Sequence, residues 1–357
     1  MSELAGMRKG LRLLFFAAAL CAMATGLLAG LGRLGFNLPA ATLVGQHGPL
    51  MVCGLFGTLI SLERAVAMAK PWPYLAPGLS ALGVILLLGG APHGWSVTPF
   101  IAAAAVLTLA SFKLWNGQKV QHLAVLALAA LMWLVGNVVW WHSGFAQPAV
   151  PAWLAFLVLT IAGERLELSR FLPTPAAARQ VFAVLAALLI AAALLAQMLL
   201  FALVLIALVS WLFRHDIVRR TLRQAGLPRY IAVCLASGYV WLAISAGLML
   251  FGELAPELPL RDASLHTLLL GFVFSMVFGH APIVLPAVAR LRLPYHPLLY
   301  LPLLVLQLSL GLRLLAGLLG DFPLRQQAAL GNAVALALFA LTVIGLLLHG
   351  AIQKNRA

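Results

Sequence analysis

Residues 180–213 read QVFAVLAALLIAAALLAQMLLFALVLIALVSWLF, a run with no charged residue and only Gln180, Gln197 and Ser210 as polar ones. As one helix it would be about 51 Å long at a rise of 1.5 Å per residue, against a hydrocarbon core of roughly 30 Å. Arg165, Arg170 and Arg179 precede it, and Arg214, Arg219, Arg220 and Arg223 follow it. Basic residues collect on the cytoplasmic side of a membrane. Both groups can lie on that side only if the stretch crosses and returns, so the sequence predicts two minimal spans with a tight turn near Gln197.

Working outward, further apolar runs lie near 11–32, 40–62, 73–90, 97–115, 122–141, 150–168, 230–251, 263–289, 296–316 and 328–350. With 180–196 and 198–213 they make an all-α, polytopic membrane helix bundle of about twelve transmembrane helices. The expected organisation is a single integral membrane domain over 1–357, with four-helix repeats at roughly 11–115, 122–213 and 230–350 around a pseudo-threefold axis. Composition agrees: 63% of residues are hydrophobic and 9% charged, where a soluble domain carries about 25% charged residues. This excludes a soluble globular protein and a disordered one. The net charge of +14 is a matter of topology and attraction to anionic lipid, and no nucleic-acid partner is expected. With a cytoplasmic N-terminus, 19 of the 23 Lys and Arg residues fall inside, leaving Arg33, Arg261, Arg313 and Arg325 outside. Both termini are then cytoplasmic. The first run is longer than a signal-peptide core and is read as a span. Cys21, Cys53 and Cys234 lie within spans, form no CxxC, and read as small apolar residues.

Ionisable side chains at membrane depth are costly and therefore informative. Six of the nine histidines sit at span ends or in loops; of these, His142 follows Trp140 and Trp141 and could face an outer site. His47, in Gly45-Gln46-His47-Gly48-Pro49-Leu50-Met51, and His266, in Asp262-Ala263-Ser264-Leu265-His266-Thr267, are different. Each lies early in an even-numbered span, so the two imidazoles are expected at similar depth, about 5–10 Å below the outer interface by the helical rise. Two neutral imidazoles can hold a haem iron axially or contribute to a copper site; two unrelated interhelical hydrogen bonds explain them equally well. Glycines at 45, 48, 54, 57, 271 and 279 leave room for a planar ligand or for close helix packing. Asp262, four residues before His266, could orient that imidazole or cap its helix.

A second cluster is expected deeper in the bilayer. Glu63, Glu164 and His280 occupy corresponding depths in spans two, six and ten. Two carboxylates and an imidazole could hold a metal or relay protons; alternatively each Glu pairs with a neighbouring arginine at the membrane edge. On an unbroken α-helix His266 and His280 fall about 40° apart and His47 and Glu63 about 160° apart.

Twelve spans with a histidine early in the second and another early in the tenth resemble subunit I of the haem–copper oxidases. Gln46-His47-Gly48-Pro49-Leu50-Met51 and His266-Thr267-Leu268-Leu269-Leu270-Gly271, running on to His280, are more similar still to the NnrS family, membrane proteins linked to the nitric-oxide response. The resemblance implies a haem b, or copper or zinc, held by His47 and His266, with Arg313 as the preferred partner for a haem propionate. It also implies an inner (plasma) membrane location of bacterial type, and a redox partner or quinol. The departures matter. The sixth span has Glu164 and no histidine, the seventh has no paired histidine, and the tenth has no HxH. The resemblance therefore implies no binuclear oxygen-reducing centre and no proton-pumping oxidase activity, while leaving oxidoreductase chemistry open. Two rivals remain: a metal-only protein in which His142 joins the histidines, and a transporter whose ion or proton site is Glu63, Glu164 and His280.

Overall fold

The computed structural model of the chain describes residues 2–38, 41–169, 174–258, 260–289 and 293–356. Arg170, Arg290 and Arg292, assigned above to the inner side, lie outside them. The described residues are helical and contain no strand. Among the described residues, eleven helices are long and apolar enough to cross a membrane: α1 Gly10–Gly32, α2 Leu43–Met68, α4 His93–Gln118, α5 Gln121–Ser143, α6 Gln147–Leu168, α7 Ala176–Leu194, α8 Met198–His215, α9 Gly226–Leu254, α10 Arg261–Pro286, α11 Pro297–Leu319 and α12 Phe322–His349. Where the sequence suggests a third span, the structure has a shorter apolar helix, α3, Trp72–Leu88. At 1.5 Å per residue it spans about 26 Å, just under the hydrocarbon thickness. The chain is a multi-pass helical membrane protein.

The helices form two compact units, Met1–Gly163 with Ala287–Arg290, and Glu164–Pro286 with Leu291–Ala357. In the first unit α1 packs on α2, α2 on α3, α3 on α4 and α4 on α5. Gly54 of α2 lets the backbones close, since a Cβ there would lie 2.8 Å from that of Ala22 and 3.0 Å from Val84. Without a hydrophobic drive between helices in lipid, polar contacts and small residues hold such a unit together. Asn137 is the hub. Fully buried, it accepts from Trp153 Nε1 at 3.0 Å and Cys53 Sγ at 3.2 Å and donates to the Phe100 carbonyl at 3.0 Å. Thr58 donates to Ser80 Oγ, which donates to the Cys53 carbonyl, extending the network from α2 to α3.

In the second unit, residues 180–213 form the expected hairpin. α7 and α8 pack on each other, Trp211 Nε1 donates to the Ala178 carbonyl at 2.8 Å, and the chain reverses around Ala196, whose φ is +51°. Then α8 packs on α9, α9 on α10, α10 on α11 and α11 on α12. The cross-links are again polar. Trp241 donates to Gln307, Gln307 donates to Ser275 Oγ at 3.0 Å, Ser245 donates to the Ser264 carbonyl at 2.7 Å, and Asn332 donates to Ser309 Oγ at 2.7 Å.

Both histidine-bearing helices contain an eight-residue π-helical segment, Leu50–Gly57 in α2 and Thr267–Phe274 in α10. An i→i+5 ring adds about one residue to the turn, which swings everything beyond it by about 100°. His47 and Glu63 then lie about 60° apart instead of 160°, and His266 and His280 about 140° apart instead of 40°. The straight-helix wheel thus fails for both pairs, and the cause is π geometry within each helix.

Candidate functional site: two histidines and their carbonyl acceptors

His47 opens the α-helical part of α2, after a 3₁₀ turn over Ala41–Gln46. Its Nδ1 lies 2.7 Å from the Gly26 carbonyl of α1. A carbonyl can only accept, so Nδ1 carries the proton, and the lone pair of the neutral ring sits on Nε2. Gly30, one helical turn further along α1, makes this possible. A Cβ there would stand 2.7 Å from Nδ1 and 2.8 Å from Cε1. The ring fills the space that a side chain would take.

His266 reaches the same tautomer by another route. Its Nδ1 lies 2.8 Å from the Asp262 carbonyl one turn back in α10, so its lone pair too is on Nε2. The Asp262 carboxylate approaches Nδ1 at 3.3 Å, but its main partner is Arg313 of α11, whose Nε and Nη2 donate to it at 3.1–3.2 Å. Arg313 Nη2 also stands 3.3 Å from His266 Nε2. Arg313 is 7% exposed, so its charge is buried beside a carboxylate, as buried charges must be. Asp262 is no helix cap: Leu260 holds the N-cap position of the α10 start, with no side-chain cap bond. Asp262 instead joins the arginine to the imidazole.

The other expected residues divide between the units. His280 Nε2 lies 3.8 Å from Glu164 Oε2, both half-buried in the second unit. Glu63 is in the first unit, half-buried on α2. His142 is exposed in the last turn of α5. Arg33 and Arg261 are exposed, and Arg325 stacks its guanidinium on Phe322 at 5.1 Å. Among the buried polar residues are Asn137 and Asp216, not singled out from the sequence, and Arg165, read there only as a cytoplasmic charge. Their signal was the one used for the histidines, a polar group within or at the end of an apolar span.

Taken singly, each imidazole has the chemistry of a ligand to a haem iron or to a borderline metal such as copper or zinc. Each imidazole has Nδ1 committed to an oxygen acceptor, the arrangement that orients a ligating histidine and raises the basicity of Nε2. The Gly30 cradle fixes the His47 ring, and Asp262 with Arg313 fixes that of His266.

No curated protein matches the chain. A family model described as "Domain of unknown function (DUF8744)" matches residues 12–348. The chain belongs to the DUF8744 family.

Proposed function

We propose that this is a haem- or metal-binding membrane protein in which His47 and His266 are the imidazole ligands, haem b being the favoured cofactor and copper or zinc the alternative. One observation carries the reading: each histidine gives Nδ1 to a backbone carbonyl, at 2.7 and 2.8 Å, which leaves the lone pair on Nε2; in His266 that nitrogen faces Arg313 Nη2 at 3.3 Å, which a ligand would displace. A bound iron or copper would supply electron transfer or the binding of a small ligand such as nitric oxide. The protein's part is to hold the two rings and keep both neutral; Arg313, already paired with Asp262, is the cation beside His266 that a propionate would engage. Similarity to the NnrS family and to oxidase subunit I supports this reading. An offset of 217 positions carries Leu50–Gly57 onto Thr267–Phe274 and Glu63 onto His280, but His47 onto Ser264, so it favours an internal repeat and not the pairing of the two histidines. The reading places the chain in an inner (plasma) membrane with both termini cytoplasmic, served by a quinol or protein electron donor. A visible spectrum with metal analysis of the purified protein tests it: haem gives a Soret band, and copper or zinc gives bound metal without one. Protein with neither sinks the proposal.

One observation favours a second reading. Glu164 and His280 face each other at 3.8 Å within apolar helices, as in a proton- or ion-coupled transporter. On that reading Glu164→Gln abolishes a proton-linked flux in protein that carries no cofactor. If Glu164 is only a membrane-edge residue, the change costs about 1 kcal/mol or less and leaves flux intact.

A further inference from the structure

We propose that the end of α8 and the turn after it form a binding site for a phosphate-bearing anion, the headgroup of an anionic phospholipid. A cavity of about 560 Å³ opens there, lined by Arg214, Arg219, Arg220 and Arg223 together with His215 and Thr174. The four arginines are exposed. Asp216 also lines it, but its carboxylate is spent inward. One oxygen accepts the Val218 N–H at 3.0 Å, the other accepts the Tyr239 hydroxyl, and the residue is 5% exposed. Asp216 thus shapes the turn, and its single charge leaves the four arginines in excess around the cavity. Four guanidinium groups around one concavity repel one another and focus a positive potential into it. Their planar forks match phosphate oxygens two at a time.

A lipid source is favoured by what lies beneath. Leu199, Leu203, Ile206 and Phe213 are 41%, 48%, 37% and 36% exposed. Their spacing puts them on one stripe of α8, and the stripe ends at Arg214. Acyl chains lying along it bring a headgroup to the arginines, the usual arrangement of a basic pocket at the end of membrane helices. This inference stands apart from the histidine site.

Native mass spectrometry of the full-length protein in detergent, titrated with phosphatidylglycerol, diphosphatidylglycerol and phosphatidylcholine, tests it. The anionic lipids should bind at least about tenfold more tightly than phosphatidylcholine, and R219Q/R220Q should weaken them by about tenfold. R214Q/R223Q serves as an independent pair, and K113Q/K119Q, a basic pair at the end of α4, should leave binding unchanged. Excess inorganic phosphate should fail to displace the lipid; displacement would overturn the lipid assignment in favour of a soluble phosphate. Equal retention of phosphatidylcholine, or unchanged binding in both arginine pairs, would overturn the site itself.

Discussion

A histidine becomes a defined base only when one of its nitrogens is spoken for, and here backbone carbonyls do this twice. The His47 case depends on a missing side chain. Gly30→Ala puts a methyl group within 2.7 Å of Nδ1, so the ring must turn and the bond to Gly26 is lost. We expect a destabilisation of about 1–3 kcal/mol, the usual cost of overpacking, read as a fall in thermal midpoint. Gly117→Ala, at an exposed helical glycine with nothing within 4 Å of an added Cβ, should cost no stability. Unchanged stability in Gly30→Ala would mean that the ring does not use the Gly30 cradle. His47, His266 and Asp262 were visible in the sequence as polar residues early in apolar spans. The cradle was not, because which glycine faces which ring depends on the rotation of α1 against α2. Arg313 was singled out among the four outer arginines, but its pairing with Asp262 was not legible, because only the packing of α10 against α11 sets it.

At the scale of elements, the hairpin over 180–213 was legible because a physical rule, basic residues on one side, forbids any other path. The π segments were not. Leu50–Gly57 and Thr267–Phe274 are apolar but for Thr267 and almost entirely buried, so hydropathy carries no phase from which an extra residue per turn could be read. The polar hub at Asn137 was legible in principle, as an amide in the interior of α5, but an amide costs less to bury than an ionisable group and so carries a weaker signal. Its weight is testable. Asn137→Leu leaves the Trp153 N–H and the Phe100 carbonyl without their partner, and should cost about 2–3 kcal/mol, measured by denaturation in mild detergent. A cost below about 0.5 kcal/mol would mean that packing alone joins α5 to α6.

For the whole molecule, helical class and multiple spans follow from composition alone, because a chain so poor in charge has no other stable home. Sidedness rests on the arginines. A single cysteine at Gln197, in a background lacking Cys21, Cys53 and Cys234, should react with a membrane-impermeant reagent from the outer face of intact cells; reaction only in inverted vesicles would reverse the orientation. The central claim, that His47 and His266 are ligands, is tested most directly by one set of spectra. Purified protein should give the sharp reduced bands of a low-spin, six-coordinate haem with two imidazoles, or bound copper or zinc without a Soret band. His47→Ala and His266→Ala should each abolish or strongly weaken binding, with the double variant little worse than either. If both single variants fold and keep the full complement of haem and metal, the claim is wrong.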